Sequence, residues 1–234
     1  MNEALRRKAG EAWAFRTRVE RDAARRFARL SGVISAFDPD SPVPDLLRHA
    51  SADEERHAAL CAGLTVAYGG PVPEAPREAA IAPASLDPRA AALYEMVAAC
   101  CITESESVAT LTTLLSEEVE SRVESVLREI ARDEVAHGRM GWAHLSREAA
   151  LYDVSLLSPH IPAMLSGTVD DGLFAGAGAE LESPDLLRHG VLPHLTKRAI
   201  FVGTLEEVVF PGLEKFGIDP RPARSWLTAR QRSW

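Results

Sequence analysis

Apolar residues recur at intervals of three and four along much of the chain, which is the pattern of helices that bury one face. The first such stretch runs from about Asn2 to Phe37 without a proline and ends at the sequence DPDSPVPD. A second stretch begins after Pro44 and continues to the pair Gly69–Gly70, which is a typical helix stop. The N-terminal part of the chain is therefore predicted to form two long helices joined by a short turn.

The next connection is longer, because the proline-rich sequence PVPEAPREAAIAPASLD follows the glycine pair and does not suit a tight helical hairpin. Asp87 is a good N-cap for a third helix that begins at Pro88 and ends near Leu115. Ser121 and Glu124 have the spacing of a capping box. A fourth helix is therefore predicted to begin there, after a very short turn.

The order of connections is thus short, long and short, with the fourth helix continuing to about Arg147. Two antiparallel hairpins joined by one crossover are the ferritin-like version of the four-helix bundle, as distinct from the simple up-down bundle. We predict an all-α fold with this bundle over residues 1–150. The C-terminal part, residues 151–234, is predicted to be a helical extension of the same domain.

The C-terminal part is interrupted at the sequences SPHIP, GLFAGAGAELESPD and FPGL. These breaks predict two or three shorter helices that pack on the bundle. The hexapeptide PDLLRH occurs at residues 44–49 and again at residues 184–189. We interpret both copies as helix starts with the same local sequence rather than as a functional repeat.

Composition narrows the class of protein. With 234 residues and 46% hydrophobic side chains, the chain is long enough to bury a sizeable core. The net charge of -8 argues against nucleic acid as a partner, and no apolar stretch is long enough to span a membrane. No signal peptide is recognisable, so a cytoplasmic location is expected. Cys61, Cys100 and Cys101 form no CxxC pair and are interpreted as core residues.

Two five-residue segments carry the candidate chemistry: DEERH at residues 53–57 and DEVAH at residues 133–137. Both contain Glu-x-x-His, and residues three apart lie on the same face of a helix. Each segment can therefore direct one carboxylate and one imidazole to the same point. Two such motifs on alternate helices of a four-helix pattern predict a dinuclear metal site between the helices.

A dinuclear site also needs one glutamate from the first helix and one from the third. Glu20 is the only acidic residue on the apolar stripe of the first helix, and Glu104 lies on the apolar stripe of the third. Glu106 lies two residues further along and remains the alternative to Glu104. The predicted metal ligands are Glu20, Glu54, His57, Glu104, Glu134 and His137.

Four buried carboxylates would be strongly destabilising without compensation, because each desolvated ion costs several kcal/mol as an order of magnitude. Two divalent cations would cancel the four charges. An oxygen-rich ligand set with two imidazoles favours two iron ions, with manganese as the alternative metal. We expect Glu54 and Glu134 to bridge the two ions, and the other ligands to bind one ion each.

Three further residues are predicted to support the ligands. Asp53 and Asp133 each precede a ligand glutamate and can accept a hydrogen bond from a ligand imidazole. Arg56 is expected to pair with one of these aspartates, although Ala136 is at the equivalent position of the fourth helix. The other five histidines are interpreted as surface or core residues: His49, His144, His160, His189 and His194.

These motifs resemble those of the di-iron carboxylate proteins of the ferritin-like superfamily, whose pattern is a glutamate followed by (Asp/Glu)-Glu-x-Arg-His, repeated. DEERH matches that motif fully, and DEVAH lacks only the arginine. The segments ERDAARRFARL and CITES, which contain Glu20 and Glu104, are similar to a group of bacterial ferritin-like proteins. The resemblance covers about residues 10–148. It implies an enzyme that activates O2 to oxidise a small organic substrate, with electrons from an external donor.

The sequence differs from several members of this superfamily, and these differences narrow the function that the resemblance implies. The chain is longer than ferritins, and Ser107 is at the position of a further carboxylate ligand in rubrerythrins. No tyrosine lies within one turn of a predicted ligand, so a tyrosyl radical is not indicated. An O2-dependent oxidase or oxygenase is the leading hypothesis, and a homodimer is the expected assembly. The alternative is a non-catalytic metal-binding protein with ferroxidase or peroxide-scavenging activity.

Overall fold

The computed structural model describes residues 1–74, 79–169, 171–175 and 183–232. These residues form helices, turns and loops, with no β-strand among them, so the predicted all-α class is confirmed. Within the same residues, no helix combines the length and the apolarity that crossing a bilayer requires. The predicted breaks in PVPEAPREAAIAPASLD and GLFAGAGAELESPD lie partly outside the described residues.

The long helices lie close to their predicted positions: α1 (Glu3–Phe37), α2 (Val43–Ala67), α3 (Pro88–Met96), a π-helical segment (Val97–Thr103), α4 (Glu104–Leu115) and α5 (Ser121–Leu151). Asp87 caps α3 as predicted, because its Oδ1 accepts hydrogen bonds from the backbone N–H groups of Arg89 and Ala90, both at 3.0 Å. Ser121 is the first residue of α5 rather than its N-cap. The predicted third helix corresponds to α3, the π-helical segment and α4 together. It is helical throughout, but its middle part, Val97–Thr103, has π-helical hydrogen bonding.

The C-terminal part contains more helix than the sequence predicts. Its α-helices are α6 (Ile161–Thr168), α7 (His194–Thr204), α8 (Phe210–Glu214) and α9 (Arg221–Arg232), with 3₁₀ segments at Ser155–His160, Asp171–Phe174 and Pro184–His189. The break predicted at FPGL is wrong, because a π-helical segment, Leu205–Val209, connects α7 directly to α8. Pro211 then lies directly after this π-helical segment, as the second residue of α8.

The chain forms two compact units, each built from separate stretches of sequence. The first unit contains Met1–Ala92, Leu111–Asp133 and Ser183–Leu192, and the second contains Leu93–Thr110, Glu134–Glu182 and Pro193–Trp234. The helix α5 therefore begins in the first unit and ends in the second. The specific ferritin-like topology, and the division at residue 150, stay predictions.

In the first unit, α1 and α2 pack against each other in antiparallel orientation. Ser51 Oγ donates a hydrogen bond to the carbonyl oxygen of Ala24 at 2.8 Å. Further towards the start of α1, the hydroxyls of Thr17 and Thr65 lie 3.3 Å apart and both are fully buried. Residues later in α2 thus contact residues earlier in α1. The two helices are therefore antiparallel, as the short predicted turn between them requires.

The second PDLLRH segment is a 3₁₀ helix that also belongs to the first unit. Trp13 Nε1 donates a hydrogen bond to the carbonyl oxygen of His189 at 2.9 Å, and the Tyr68 hydroxyl lies 3.1 Å from His189 Nδ1. Gly190 ends the segment with a φ of 76°, and a Cβ there would lie 2.7 Å from the Trp13 ring. Glycine is therefore required at this position by both conformation and space.

In the second unit, α5 passes very close to the π-helical segment that precedes Glu104. A Cβ on Gly141 would lie only 2.3 Å from the Cβ of Cys100. The hydroxyls of Thr103 and Thr168 lie 3.4 Å apart, at a contact between the π-helical segment and α6. This packing fixes the backbone immediately before Glu104.

Candidate metal centre

Three of the predicted ligands meet in the first unit. Glu20 on α1, and Glu54 and His57 on α2, each offer a ligand atom within 4.8 Å of the others. Glu54 is 1% exposed and His57 is fully buried, whereas Glu20 is half-buried. The i, i+3 spacing places His57 Nδ1 3.4 Å from Glu54 Oε2, as expected for two side chains on one face of a helix. We refer to these three residues as the first triad.

The second unit holds the other three predicted ligands in an equivalent arrangement. Glu104, the first residue of α4, and Glu134 and His137 on α5 offer ligand atoms within 4.8 Å of one another. All three side chains are buried, with exposed fractions of 5%, 2% and 3%. His137 Nδ1 lies 3.0 Å from Glu134 Oε2. We refer to these residues as the second triad.

Glu106, the alternative to Glu104, lies in a different environment. It is half-buried, and its Oε1 accepts a hydrogen bond from Thr110 Oγ1 at 2.8 Å on the same helix. The structure thus groups Glu104, and not Glu106, with Glu134 and His137. In the sequence, the signal that favours Glu104 over Glu106 is that Glu104 lies on the apolar stripe of the third predicted helix.

The orientation of His57 follows from its contact with Asp133, which also belongs to the first unit. His57 Nε2 lies 3.2 Å from Asp133 Oδ2. A carboxylate can only accept a hydrogen bond, so Nε2 carries the proton and donates it. The Nδ1 atom is then the basic nitrogen, and it is the atom directed towards Glu54. His57 is therefore prepared to bind a cation through Nδ1.

A small charged network surrounds Asp133. Arg56 forms ion pairs with Asp53 at 2.9 Å and with Glu129 at 3.3 Å, and it also contacts Asp133. Burial raises the pKa of Asp133, but hydrogen bonds from Arg132 and His57 outweigh this effect and leave its pKa below the usual range. Asp133 therefore remains ionised over the physiological pH range and accepts a hydrogen bond from His57 Nε2.

The predicted supporting residues are therefore not equivalent to each other. Asp133 contacts the imidazole of His57, whereas Asp53 forms an ion pair with Arg56. The sequence did not predict the contributions of Glu129 and Arg132. Their i, i+3 spacing on α5 was the only available signal, and it is common on solvated helix faces.

The donor set of each triad fits a divalent metal ion. Two carboxylates and one imidazole in a buried site are hard and intermediate ligands that suit iron or manganese. Structural zinc sites are usually tetrahedral and closed. Buried carboxylates this close together repel one another unless a cation lies between them. A metal ion in each triad would be held by its two carboxylates and its imidazole nitrogen.

A cavity of about 290 Å³ lies in the second unit, and two members of the second triad, Glu104 and Glu134, contribute to its lining. Most of the other lining side chains are apolar: Val108, Ala109, Val135, Trp142 and Val208. Ser105, Thr204 and Arg139 add polar groups. Because two predicted ligands are part of its lining, the cavity lies directly beside the second triad.

The sequence could not predict this cavity, because its lining comes from three separate stretches between residues 104 and 208. A residue from the end of α7, Thr204, and one from the π-helical segment Leu205–Val209 complete the wall. The other π-helical segment ends directly before Glu104. Interruptions of this kind inside α-helices are frequent at functional sites.

Comparison of the chain with protein-family models, with curated proteins and with solved structures gives no match.

Proposed function

We propose that the two triads together hold a carboxylate-bridged pair of iron ions, and that the protein is an oxidoreductase that uses O2 to oxidise a small organic molecule. In this proposal Glu54 and Glu134 would hold the ions together with Glu20 and His57 of the first triad and Glu104 and His137 of the second. The buried pair of Glu, Glu, His triads is the observation that carries the proposal.

The continuity of α5 supports joining the triads into one centre. Asp133, which contacts His57, and Glu134, which belongs to the second triad, are consecutive residues of this helix. A carboxylate that positions a histidine of one triad thus directly precedes a ligand of the other.

Charge balance supports two divalent ions rather than one. The two triads contain four carboxylates, and three of them are at most 5% exposed. Removing such charges from water costs several kcal/mol each, as an order of magnitude, unless they are compensated. Two divalent cations would compensate all four charges.

The cavity supports an oxidase or oxygenase over a purely metal-binding protein. A bound ion pair would supply the redox chemistry that O2 activation requires. The protein supplies the access, since the lining of the apolar cavity includes Glu104 and Glu134. It also supplies the orientation, since Asp133 fixes the tautomer of His57. An external electron donor would complete the catalytic cycle.

The test is anaerobic loading with ferrous iron, followed by a pulse of O2 and monitored by absorbance. We expect wild-type protein to bind two irons per chain and to give an O2-dependent visible absorption. Glu104→Gln, which removes one ligand charge at nearly constant volume, is expected to bind less iron and to lose the absorption.

Glu106→Gln is the matched control, because this glutamate lies on the same helix and bonds to Thr110. It is expected to behave as the wild type. The proposal is contradicted if wild type binds no more than one metal ion, or if the two variants behave alike. Iron oxidation without oxidation of any organic compound would instead support a ferroxidase.

A further inference from the structure

The cavity beside the second triad has the size of a small organic molecule. Its volume of about 290 Å³ corresponds to about ten water molecules at their volume in the liquid. This is at the lower end of the range of ligand-binding pockets, which begins near 300 Å³. The cavity therefore has room for a molecule of about ten non-hydrogen atoms, such as a substituted benzene ring.

The chemistry of the walls indicates an uncharged ligand. Trp142 presents an aromatic side chain, and its ring lies close to the backbone of Gly212, where a Cβ would approach it to 2.5 Å. Val108 and Ala109 add aliphatic surface. An anionic ligand would lose hydration on entering these walls without gaining a buried partner of opposite charge.

The charged residues of the lining do not change this conclusion. In the proposed function Glu104 and Glu134 are committed to the metal and so offer no free charge to a cationic ligand, and without metal their charges oppose an anion. Arg139 is exposed to solvent, where an ion pair with an anionic ligand would contribute little. The apolar walls therefore dominate recognition.

The C-terminal part of the chain contributes to the wall of the cavity. Val208 belongs to the π-helical segment that follows α7, lines the cavity and is 49% exposed. It is therefore a lining residue that also faces solvent. A larger side chain at this position would narrow the entrance without entering the packed core.

We propose that this cavity binds a small, uncharged and mainly apolar organic molecule, and that Val208 limits which molecules enter. This assigns a role in ligand selection to the C-terminal part of the chain. The identification of the bound molecule as the substrate rests on the proposed function, whereas binding itself does not require redox chemistry.

The experiment is a binding titration of the full-length protein, followed by fluorine NMR without O2 turnover. The probes are p-fluorotoluene, which is neutral, and p-fluorobenzoate, which is an anion of similar size. We expect saturable binding of p-fluorotoluene and at least about tenfold weaker binding of p-fluorobenzoate, a factor that corresponds to about 1.4 kcal/mol.

Val208→Trp tests the location of the binding site. We expect it to weaken p-fluorotoluene binding at least about tenfold, again about 1.4 kcal/mol. Val66→Trp is the matched control, because Val66 is a 61% exposed valine on α2 in the first unit and does not line the cavity. It should bind the probe as the wild type does. Circular dichroism checks that both variants remain folded.

The outcomes separate this proposal from the proposed function. Equal binding of the two probes would overturn the uncharged ligand class, and unchanged affinity in Val208→Trp would overturn the assigned pocket. Absence of saturable p-fluorotoluene binding would overturn both. If the probe binds as expected but the protein fails to bind two irons, the pocket stands and the proposed function fails.

Discussion

Replacing Gly141 by alanine tests how tightly α5 packs beside the second triad. The added Cβ would lie 2.3 Å from Cys100 Cβ and 3.0 Å from the Cys100 carbonyl carbon. Part of this contact is with backbone, so rotation of a side chain cannot relieve it. The π-helical segment would have to shift, and it leads directly into Glu104. Gly141→Ala should therefore reduce stability and weaken metal binding by the second triad.

Gly138, one turn earlier on α5, provides the matched comparison. A Cβ there would meet the Cys100 carbonyl oxygen at 3.7 Å and Glu104 Cβ at 3.8 Å, which are ordinary van der Waals distances. Alanine favours a helix over glycine by about 1 kcal/mol, whereas overpacking costs about 1–3 kcal/mol. Gly138→Ala should therefore gain about 1 kcal/mol, and Gly141→Ala should lose up to about 2 kcal/mol.

For a chain of this size, 1 kcal/mol shifts the melting temperature by about 2–4 °C. Gly138→Ala is expected to raise the melting temperature by about 2–4 °C, and Gly141→Ala to lower it by up to about 8 °C. Thermal unfolding by circular dichroism measures the shift, and a ferrous titration measures metal affinity. The packing described here is refuted if Gly141→Ala melts at or above the wild-type temperature, or if Gly138→Ala is the less stable variant.

Three further predictions concern the supporting network, the metal and alkaline pH. Asp133→Asn should weaken metal binding about 10–100-fold, because the partner that fixes the His57 tautomer is weakened; a metal titration measures this loss. Metal removal should lower the melting temperature, because an ion at 100 times its Kd stabilises a fold by about 2.7 kcal/mol. Burial and then the charge of Glu120 raise the pKa of Tyr68 from 10.0 to about 12. The stability that Tyr68 contributes is therefore complete below about pH 10 and is lost as pH rises towards about 12. Urea unfolding of Tyr68→Phe should therefore show a smaller loss of stability at alkaline pH than the wild type.

Each of these predictions has a control and a contradicting result. Asp22→Asn removes an aspartate that pairs with Arg26 at 2.6 Å on α1 and should leave metal affinity unchanged; equal losses in the two variants would reject the role of Asp133. An unchanged melting temperature after chelation, in protein verified to contain metal, would reject coupling of the centre to the fold. An alkaline loss in Tyr68→Phe as large as in the wild type would reject the assignment to Tyr68.

The helices were predictable where local chemistry determined their ends. Asp87 caps α3 through its own carboxylate, and the turn between α1 and α2 consists of the proline-containing sequence DPDSP. The π-helical segment Val97–Thr103 was not predictable, because VAACCIT is apolar at nearly every position. A change from α to π hydrogen bonding moves residues around the helix, but it leaves no periodic signal in a segment that is apolar on all sides.

The grouping of residues within each triad followed from helix periodicity. Three-residue spacing brings Glu54 to His57 and Glu134 to His137, independently of tertiary packing. The contact of Asp133 with His57 depends on how α5 packs against α2, which one-dimensional spacing does not specify. The cavity was beyond prediction for the same reason, since Val208 is more than 60 residues after Trp142 and joins it only in the folded chain.

The most direct test of the central claim is Mössbauer spectroscopy combined with EPR on iron-loaded, O2-oxidised protein of measured iron content. If the two triads form one carboxylate-bridged centre, two ferric ions per chain will be antiferromagnetically coupled and silent in EPR. Two irons per chain that give the EPR signal of isolated high-spin ferric ions would contradict the account, because the triads would then be separate mononuclear sites.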